Sequence, residues 1–204
     1  TLSLKNGDRY EGQFQRDQKN GRGVYFFANG DRYEGQFMNG RQHGQGELNR
    51  ANGERYVGQY LNGQKSGRGT FYFLNTDRYE GNWREDRIEG QGAYHFANGD
   101  HYEGQWRAGE QAQGTFRWAD GNRYEGQFSN NRRHGQGTFD WTNGNSYKGQ
   151  WRDGKQHGRG EKEWANGDRY EGQWQNDQMN GQGTFYYVNG NRFAGGFQND
   201  QISG

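Results

Sequence analysis

The stretch YEGQFMNGRQHGQG, residues 33–46, decides the fold because near-copies of it recur along the whole chain. Its first residue is the tyrosine of a Tyr-x-Gly motif. The equivalent residues are Tyr10, Tyr33, Tyr56, Tyr79, Tyr102, Tyr124, Tyr147, Tyr170 and Phe193. They are spaced 23 residues apart, except for 22 between Tyr102 and Tyr124. A period of this length indicates an array of one supersecondary unit rather than a single globular core.

Each unit contains the pattern of a β-hairpin. Residues 33–37 alternate large apolar, polar, glycine, polar and large apolar side chains, which is typical of a strand with one apolar face. The polar, glycine-rich run from Met38 to Gln45 predicts a turn. A second strand follows, seen most clearly at residues 70–73, and then an Asn-Gly-Asp segment such as 98–100. Asn-Gly predicts a further tight turn because both residues tolerate positive φ.

The repeat pattern predicts the fold class. No segment of helical length carries an apolar stripe with a period of 3.6 residues, so we predict an all-β chain. It is expected to be a single-layer antiparallel β-hairpin solenoid of about 17 or 18 strands, twisted into a grooved rod. Residues 1–204 are predicted to form one array, with units starting near residues 1, 24, 47, 70, 93, 115, 138, 161 and 184 and the last unit truncated.

Composition indicates an aromatic core. Phe, Trp and Tyr make up 17% of the residues, and there is no Cys, which excludes disulfides and thiolate metal ligands. A formal net charge of +1 excludes bulk electrostatic attraction as the main basis of binding. No apolar run approaches the roughly 20 residues of a membrane span. No targeting segment is recognised in this piece, and a cytoplasmic or membrane-peripheral location is favoured.

The units resemble MORN repeats. The resemblance rests on the stretch 33–46 and its copies, and it spans the whole chain in nine phases. It implies a rod of β-hairpins, with roles in scaffolding, peptide binding in a groove, self-association and contact with anionic membranes. It does not imply catalysis, because family members that are enzymes carry a separate catalytic domain. The chain departs from the family by lacking Pro and by placing Leu48, Arg50 and Lys162 where they interrupt the aromatic columns.

One column of rings is predicted to form a binding groove. A one-layer sheet has no second layer to cover its apolar face, so part of that face is expected to stay exposed. The predicted groove residues are Phe27, Phe73, Phe96, Trp118, Trp141, Trp164 and Tyr187. The alternative interpretation is that these rings belong to the core, as we expect for the Tyr-x-Gly tyrosines. The expected occupant is an extended segment or an amphipathic helix of a protein partner.

The edge of the ribbon at the longer turns suggests an alternative function. It carries more basic than acidic residues and is a candidate surface for anionic lipid, unless these are ordinary solvated turns. The candidate lipid-binding residues are Arg41, Lys65, Arg132, Arg133, Lys155 and Arg159. Exposed aromatic rings also suggest glycan or choline recognition. Nucleic acid is not expected, because the basic turns and the rings are not interleaved into one stacking channel.

The residue types that could carry catalysis or bind a metal are better explained here by structural roles. Arg32 and Glu34 flank Tyr33, so their side chains are predicted to lie on the face opposite the tyrosine, as are their equivalents in other units. They predict solvated ion pairs rather than general acids. His43, His134 and His157 share one turn position, but equivalent atoms of neighbouring units lie about 9–10 Å apart, too far to share an ion. We therefore predict no enzyme, no catalytic residue, no metal and no cofactor. Uncapped ends that are cut in phase with the repeat predict either that this piece belongs to a longer rod or that it forms a homodimer or associates end to end.

Overall fold

The computed structural model describes residues 1–203, which contain 19 β-strands and no helix. The strands are β1 (Leu2–Ser3), β2 (Arg9–Gln15), β3 (Gln18–Phe26), β4 (Arg32–Met38), β5 (Arg41–Asn49), β6 (Arg55–Leu61), β7 (Gln64–Tyr72), β8 (Arg78–Arg84), β9 (Arg87–His95), β10 (His101–Arg107), β11 (Glu110–Arg117), β12 (Arg123–Ser129), β13 (Arg132–Asp140), β14 (Ser146–Arg152), β15 (Lys155–Glu163), β16 (Arg169–Gln175), β17 (Gln178–Tyr186), β18 (Arg192–Gln198) and β19 (Gln201–Ser203). The predicted all-β hairpin fold is confirmed. The strand count exceeds 17 or 18 because both short terminal strands pair with a neighbour.

The chain divides into two compact units. Unit 1 consists of Thr1–Asn98 and Trp106–Gly109 and carries β1–β9. Unit 2 consists of Gly99–Gln105 and the residues from Glu110 onward, and carries β11–β19. Within each unit every strand pairs antiparallel with the strand that follows it in the chain. Each hairpin is therefore stabilised by its immediate neighbours, as is usual in repeat proteins.

A two-residue turn joins the two strands of each hairpin. β4 ends at Met38 and β5 begins at Arg41, so only Asn39 and Gly40 lie between them, with φ of 50° and 80°. Positive φ at both positions is the pattern of a type I′ turn, whose twist matches that of the hairpin. The longer turn predicted from Met38 to Gln45 was wrong, because the polar, glycine-rich start of the second strand has the composition of a turn.

A glycine bulge follows seven of these turns within residues 1–203. Gly44 has a φ of 61°, and the register between β4 and β5 shifts at Gly35 and Gln36. The amide of Gln45 donates instead to Oε1 of Gln36 at 2.8 Å, so this backbone donor has a partner despite the bulge. The same side-chain bond is made by the amides of Arg22, Arg68, Gln136, Arg159 and Gln182.

The core is a row of tyrosines packed on glycines. Tyr33 is fully buried, and its hydroxyl donates to the carbonyl of Gln36 at 3.0 Å. A Cβ atom at Gly46 would lie 2.2 Å from that hydroxyl, so the ring lies directly on the backbone where Gly35 and Gly46 pair. The expectation that the Tyr-x-Gly tyrosines form the core is confirmed. The fully buried members are Tyr10, Tyr33, Tyr56, Tyr79, Tyr102, Tyr124, Tyr147 and Tyr170.

A second row of rings joins these tyrosines edge to face. Phe37 lies between Tyr10 and Tyr33, with ring centroids 5.0 Å and 5.2 Å away and interplanar angles of 78° and 85°. In unit 2, Trp151 lies between Tyr124 and Tyr147 in the same way, at 5.4 Å and 5.1 Å. Such pairs contribute about 0.5–1.5 kcal/mol beyond the burial of their area. One ring therefore links two successive hairpins.

Side chains of the Asn-Gly-Asp loops link neighbouring loops. Asp8 accepts hydrogen bonds from the amide of Ala28 at 2.8 Å and from the hydroxyl of Tyr25 at 2.6 Å. The sequence analysis treated this position only as part of a turn. The same backbone bond joins Asp31 to Ala51, Asp77 to Ala97, Asp100 to Ala119, Asn122 to Thr142, Asn145 to Ala165 and Asp168 to Val188.

We expect the first loop to lose stability in acid because of Asp8. The hydrogen bond from Tyr25, and then that from the amide of Ala28, lower the pKa of Asp8 below its ordinary value. A lowered pKa stabilises the folded state above the ordinary pKa, and this stabilisation disappears as the pH falls through the folded-state pKa. Thermal melts of the wild type and Asp8→Asn from about pH 6 to about pH 2 test this. The advantage of the wild type should shrink on acidification, and a pH-independent difference would contradict the assignment.

We expect Tyr60→Phe to stabilise unit 1. The Tyr60 ring is buried edge to face between Tyr33 and Tyr56, but within residues 1–203 its hydroxyl has no hydrogen-bond partner. Removing a buried, unpaired hydroxyl should raise the free energy of unfolding by about 1 kcal/mol, measured by urea denaturation. The matched control is Tyr56→Phe, which should destabilise because the Tyr56 hydroxyl donates to the carbonyl of Gln59 at 3.0 Å. Equal losses in both variants would show that Tyr60 has a partner.

Candidate functional site

The predicted groove rings lie over the core and leave part of their surface open. Tyr187 is exposed and the other six are half-buried. Six of the seven rings pack on the ring two residues earlier, as Trp141 does on Phe139, with centroids 4.4 Å apart. The exception is Trp164, which packs on Phe185 with centroids 5.3 Å apart. Rings of successive hairpins also meet within unit 2, because Trp118 lies 5.2 Å from Phe139. The core therefore holds one side of each ring in place while the other side faces outward.

An open cavity of about 540 Å³ lies beside Trp118 and Trp141 in unit 2. The structure brings these two predicted groove residues together with Arg132 and Arg133, which the sequence analysis assigned to the lipid-binding edge. The rest of the lining is Gln111, Phe116, Asp120, Asn122, Phe128, Asn131, Phe139 and Gly154. The cavity is thus aromatic on its walls and carries two cations and one carboxylate.

Arg133 lies on the ring face rather than on the outer edge. Its guanidinium carbon is 4.8 Å from the ring centroid of Phe139 and 4.4 Å from that of Trp151. Its Nη2 donates to the carbonyl of Gly154 at 2.6 Å. Strand pairing explains the placement, because β12 and β13 put Arg133 directly opposite the inward ring of Phe128. Burial lowers the pKa of Arg133, yet a guanidinium stays charged at neutral pH.

Unit 1 carries two lysines at the same position of the repeat. Lys19 and Lys65 each pair with the ring that stands four residues after a Tyr-x-Gly tyrosine. Nζ of Lys19 is 4.1 Å from the ring centroid of Tyr25, and Nζ of Lys65 is 4.4 Å from that of Trp83. Burial lowers the pKa of both ammonium groups. A cavity of about 240 Å³ is lined by Lys19, Tyr25, Phe27, Phe37, Gly40, Arg41, Gln42 and Gly63.

Lys162 extends this pattern of cations on the ring face. The sequence analysis expected it to interrupt the aromatic column. Its Nζ instead lies 5.4 Å, 5.2 Å and 5.8 Å from the ring centroids of Trp141, Trp164 and Trp174. Burial lowers the pKa of Lys162. The cation fills the place of a ring and remains in contact with the rings around it.

Comparison with known families gives the identity of the repeat. The MORN repeat family matches residues 10–32, 33–55, 56–78, 79–101, 102–123, 124–146, 147–169 and 170–192. The chain belongs to the MORN repeat family. The shortened MORN repeat, 102–123, is the one in which the tyrosine spacing falls to 22 residues. No curated protein matches this MORN-repeat chain.

Solved structures include similar folds at low sequence identity. The G-box domain of the microcephaly protein CPAP, for which structural analysis suggests a role in centriole elongation, is 12% identical to the MORN-repeat chain, with a TM-score of 0.51 and coverage of 95% of both chains. The SAS-4 TCP domain of Drosophila melanogaster, in complex with a proline-rich motif of Ana2, is also 12% identical. Its TM-score is 0.39, with 95% of this chain and 93% of that chain covered. The first comparison shows a shared fold.

The outer edge of the MORN repeats keeps three of the six basic residues predicted there. Arg41, Arg132 and Lys155 are exposed and directly follow two-residue turns. Arg159 is exposed within β15, where it pairs with Gln173 of β16 rather than lying in a turn. Lys65 and Arg133 are half-buried on the ring face. The described residues contain no helix of the length and hydropathy needed to span a membrane.

The face of the MORN repeats opposite the rings carries paired charges. Ion pairs join Arg32 to Glu34 and Arg123 to Glu125. Arg55 Nε lies 2.8 Å from Oε1 of Glu47, and this hydrogen bond lowers the pKa of the Glu47 carboxyl. A lowered pKa suits a structural ion pair rather than a general acid. Across residues 1–203, no three His, Asp or Glu side chains are grouped so that they could hold a metal ion.

Proposed function

We propose that this chain is a non-enzymatic scaffold that binds a segment of a partner protein along its column of half-buried rings. The observation that carries the proposal is the pair Trp118 and Trp141 beside an open cavity of about 540 Å³. Rings already held by a core supply apolar contact area with little further loss of conformational entropy. Fixed aromatic anchors beside a cavity are typical of peptide-binding sites.

The spacing of the rings suits an extended or a helical partner. Equivalent positions of successive hairpins are two strands, or about 9–10 Å, apart. An extended segment lying along the column advances about 3.3 Å per residue, so every third side chain would meet a ring. A helix advances about 1.5 Å per residue, so side chains seven residues apart on one face would meet successive rings. Both kinds of segment bind other proteins through such regular anchors.

Loss of a partner from a groove variant tests this function. We expect a cross-linked pulldown from the source cells to recover a protein that is lost with Trp118→Ala/Trp141→Ala. The control is Trp118→Phe/Trp141→Phe, which keeps aromatic rings and should retain the partner at least in part. Both variants must show the β circular dichroism of the wild type. An unchanged set of partners with the alanine variant would contradict binding along the rings.

A second proposal is peripheral binding to anionic membranes. Arg41, Arg132 and Lys155 are exposed next to turns, where each could contribute about 1 kcal/mol near anionic lipid. Vesicles that contain phosphatidylserine should then bind the chain, and added salt should weaken binding. Absent or salt-insensitive binding excludes this proposal. Choline recognition is less well supported, because Lys162 already lies over the Trp141 and Trp164 rings that would receive the choline cation.

A further inference from the structure

We propose that Arg133 makes the cavity of unit 2 selective for partner segments that carry an acidic side chain next to an apolar one. The Asp or Glu carboxylate would pair with the Arg133 guanidinium, and the neighbouring apolar side chain would pack on Trp118 and Trp141. This inference rests on the proposed function and adds the chemistry of the partner to it. Lipid binding would instead use the exposed residues beside the turns, of which Arg132 also lines this cavity.

Arg133 is held in one orientation before any partner arrives. Its guanidinium lies over the rings of Phe139 and Trp151, and one donor is used by the carbonyl of Gly154. A guanidinium has five N–H donors in a rigid plane, and a carboxylate can accept two of them side by side. Because the plane is already fixed by the rings, pairing with a carboxylate would cost less conformational entropy than at a free arginine.

Within residues 1–203, Arg133 forms no ion pair with a carboxylate of its own chain. The charge of Asp177 favours the charged form of Arg133, but the two side chains form no ion pair within 4 Å. A half-buried cation that has lost part of its hydration and has no carboxylate within 4 Å favours an external anion. An arginine that served only packing would bind no such anion. The experiment must therefore test whether Arg133 pairs with a carboxylate of the bound segment.

The other charges of the cavity favour the same occupant. Arg132 adds a second positive charge to the lining. Asp120 is also in the lining, but its carboxylate accepts hydrogen bonds from the amide and the side chain of Asn122 at 2.9 Å and 2.8 Å. Asp120 is therefore engaged within its own loop. The aromatic walls supply the apolar part of the contact, which is why the expected segment combines an acidic residue with an apolar neighbour.

Peptide selection on the intact chain tests the inference. Random peptides of about twelve residues, displayed on phage, are selected on the immobilised wild type and, in parallel, on Arg133→Gln and Arg152→Gln. Arg152 is the matched control, because it is an exposed residue of β14 outside the cavity and its change removes the same charge. Circular dichroism confirms that each variant is folded. Arg133→Lys, which keeps the charge but loses the two-pronged pairing, serves if Arg133→Gln does not fold.

We expect the wild type and Arg152→Gln to enrich peptides with Asp or Glu beside an aromatic or aliphatic residue. Synthetic copies should bind Arg133→Gln about tenfold to a hundredfold more weakly. Replacing the peptide's acidic residue by its amide should weaken binding to the wild type by the same factor. The same replacement should not weaken binding to Arg133→Gln any further. Enriched peptides that need Trp118 and Trp141 but no acidic residue would overturn the inference and leave the scaffold proposal standing. Enrichment of no peptide that needs these tryptophans would overturn both.

Discussion

Gly69→Ala is expected to destabilise the β6–β7 hairpin by about 3 kcal/mol or more. A Cβ atom at this position would lie 2.3 Å from the hydroxyl oxygen of Tyr56 and 2.5 Å from its Cζ. The ring cannot move away cheaply, because it is buried and lies edge to face between Tyr60 and Trp83 at centroid distances of 5.2 Å and 5.3 Å. Amide hydrogen exchange of β6 and β7 and the thermal midpoint would measure the loss.

Gly63→Ala in the same hairpin is the matched control. Gly63 has a φ of 92°, and a Cβ atom there would meet nothing within 4 Å. Its replacement should therefore cost only the strain of a left-handed backbone, about 1–2 kcal/mol. Gly69 has no positive φ, so its effect would come from the collision with the ring alone. Equal losses in the two variants would contradict the packing of Tyr56 on this glycine.

Tyr124→Ala should destabilise unit 2 by about 3–5 kcal/mol. Tyr124 is fully buried, and its ring lies edge to face against Phe128 and Trp151 at 5.1 Å and 5.4 Å. The substitution would remove a ring that links two hairpins and leave a cavity over the paired glycines Gly126 and Gly137. Urea denaturation would give the free energy, and hydrogen exchange should show the largest loss of protection in β12–β14.

Two further variants measure how much of this loss comes from the hydroxyl and how it depends on the burial of the ring. Tyr124→Phe keeps the ring and loses the hydrogen bond to the carbonyl of Gln127 at 2.9 Å, so it should cost about 1 kcal/mol. Tyr187→Ala removes a ring that is 39% exposed and should cost clearly less than Tyr124→Ala. A similar loss for Tyr187→Ala would mean that the outer rings contribute to stability as much as the core tyrosines do.

Most of the fold could be predicted because each repeat has the same local pattern. Alternation around Tyr33 predicted the first strand and its buried face, and the Asn-Gly pairs predicted tight turns. The length of the turn before Arg41 was predicted wrongly, since glycine marks both turns and bulges. The bulge at Gly44 became visible only with the strand pairing, because Gln36 supplies the acceptor that the neighbouring strand does not.

The sequence was enough to predict the rings of the candidate site but not the positions of its charged side chains. Trp118 and Trp141 follow from the alternation of side chains along a strand. Arg133 could not be placed in the same cavity without the turn length and register, because one residue more or less in the turn would move its side chain to the opposite face. The available signal was the recurrence of a cation at Lys19, Lys65 and Arg133, each opposite a ring once the hairpin is paired.

The sequence by itself determined the repeat, the all-β class, the buried tyrosines and the membership of the MORN repeat family. These depend on local periodicity, which survives in any arrangement of the hairpins. The tertiary structure alone decided which basic residues lie on the ring face and which on the outer edge. The physical reason is that a side chain's face is set by the register between two strands, and the backbone bulge that fixes this register depends on partners in both strands.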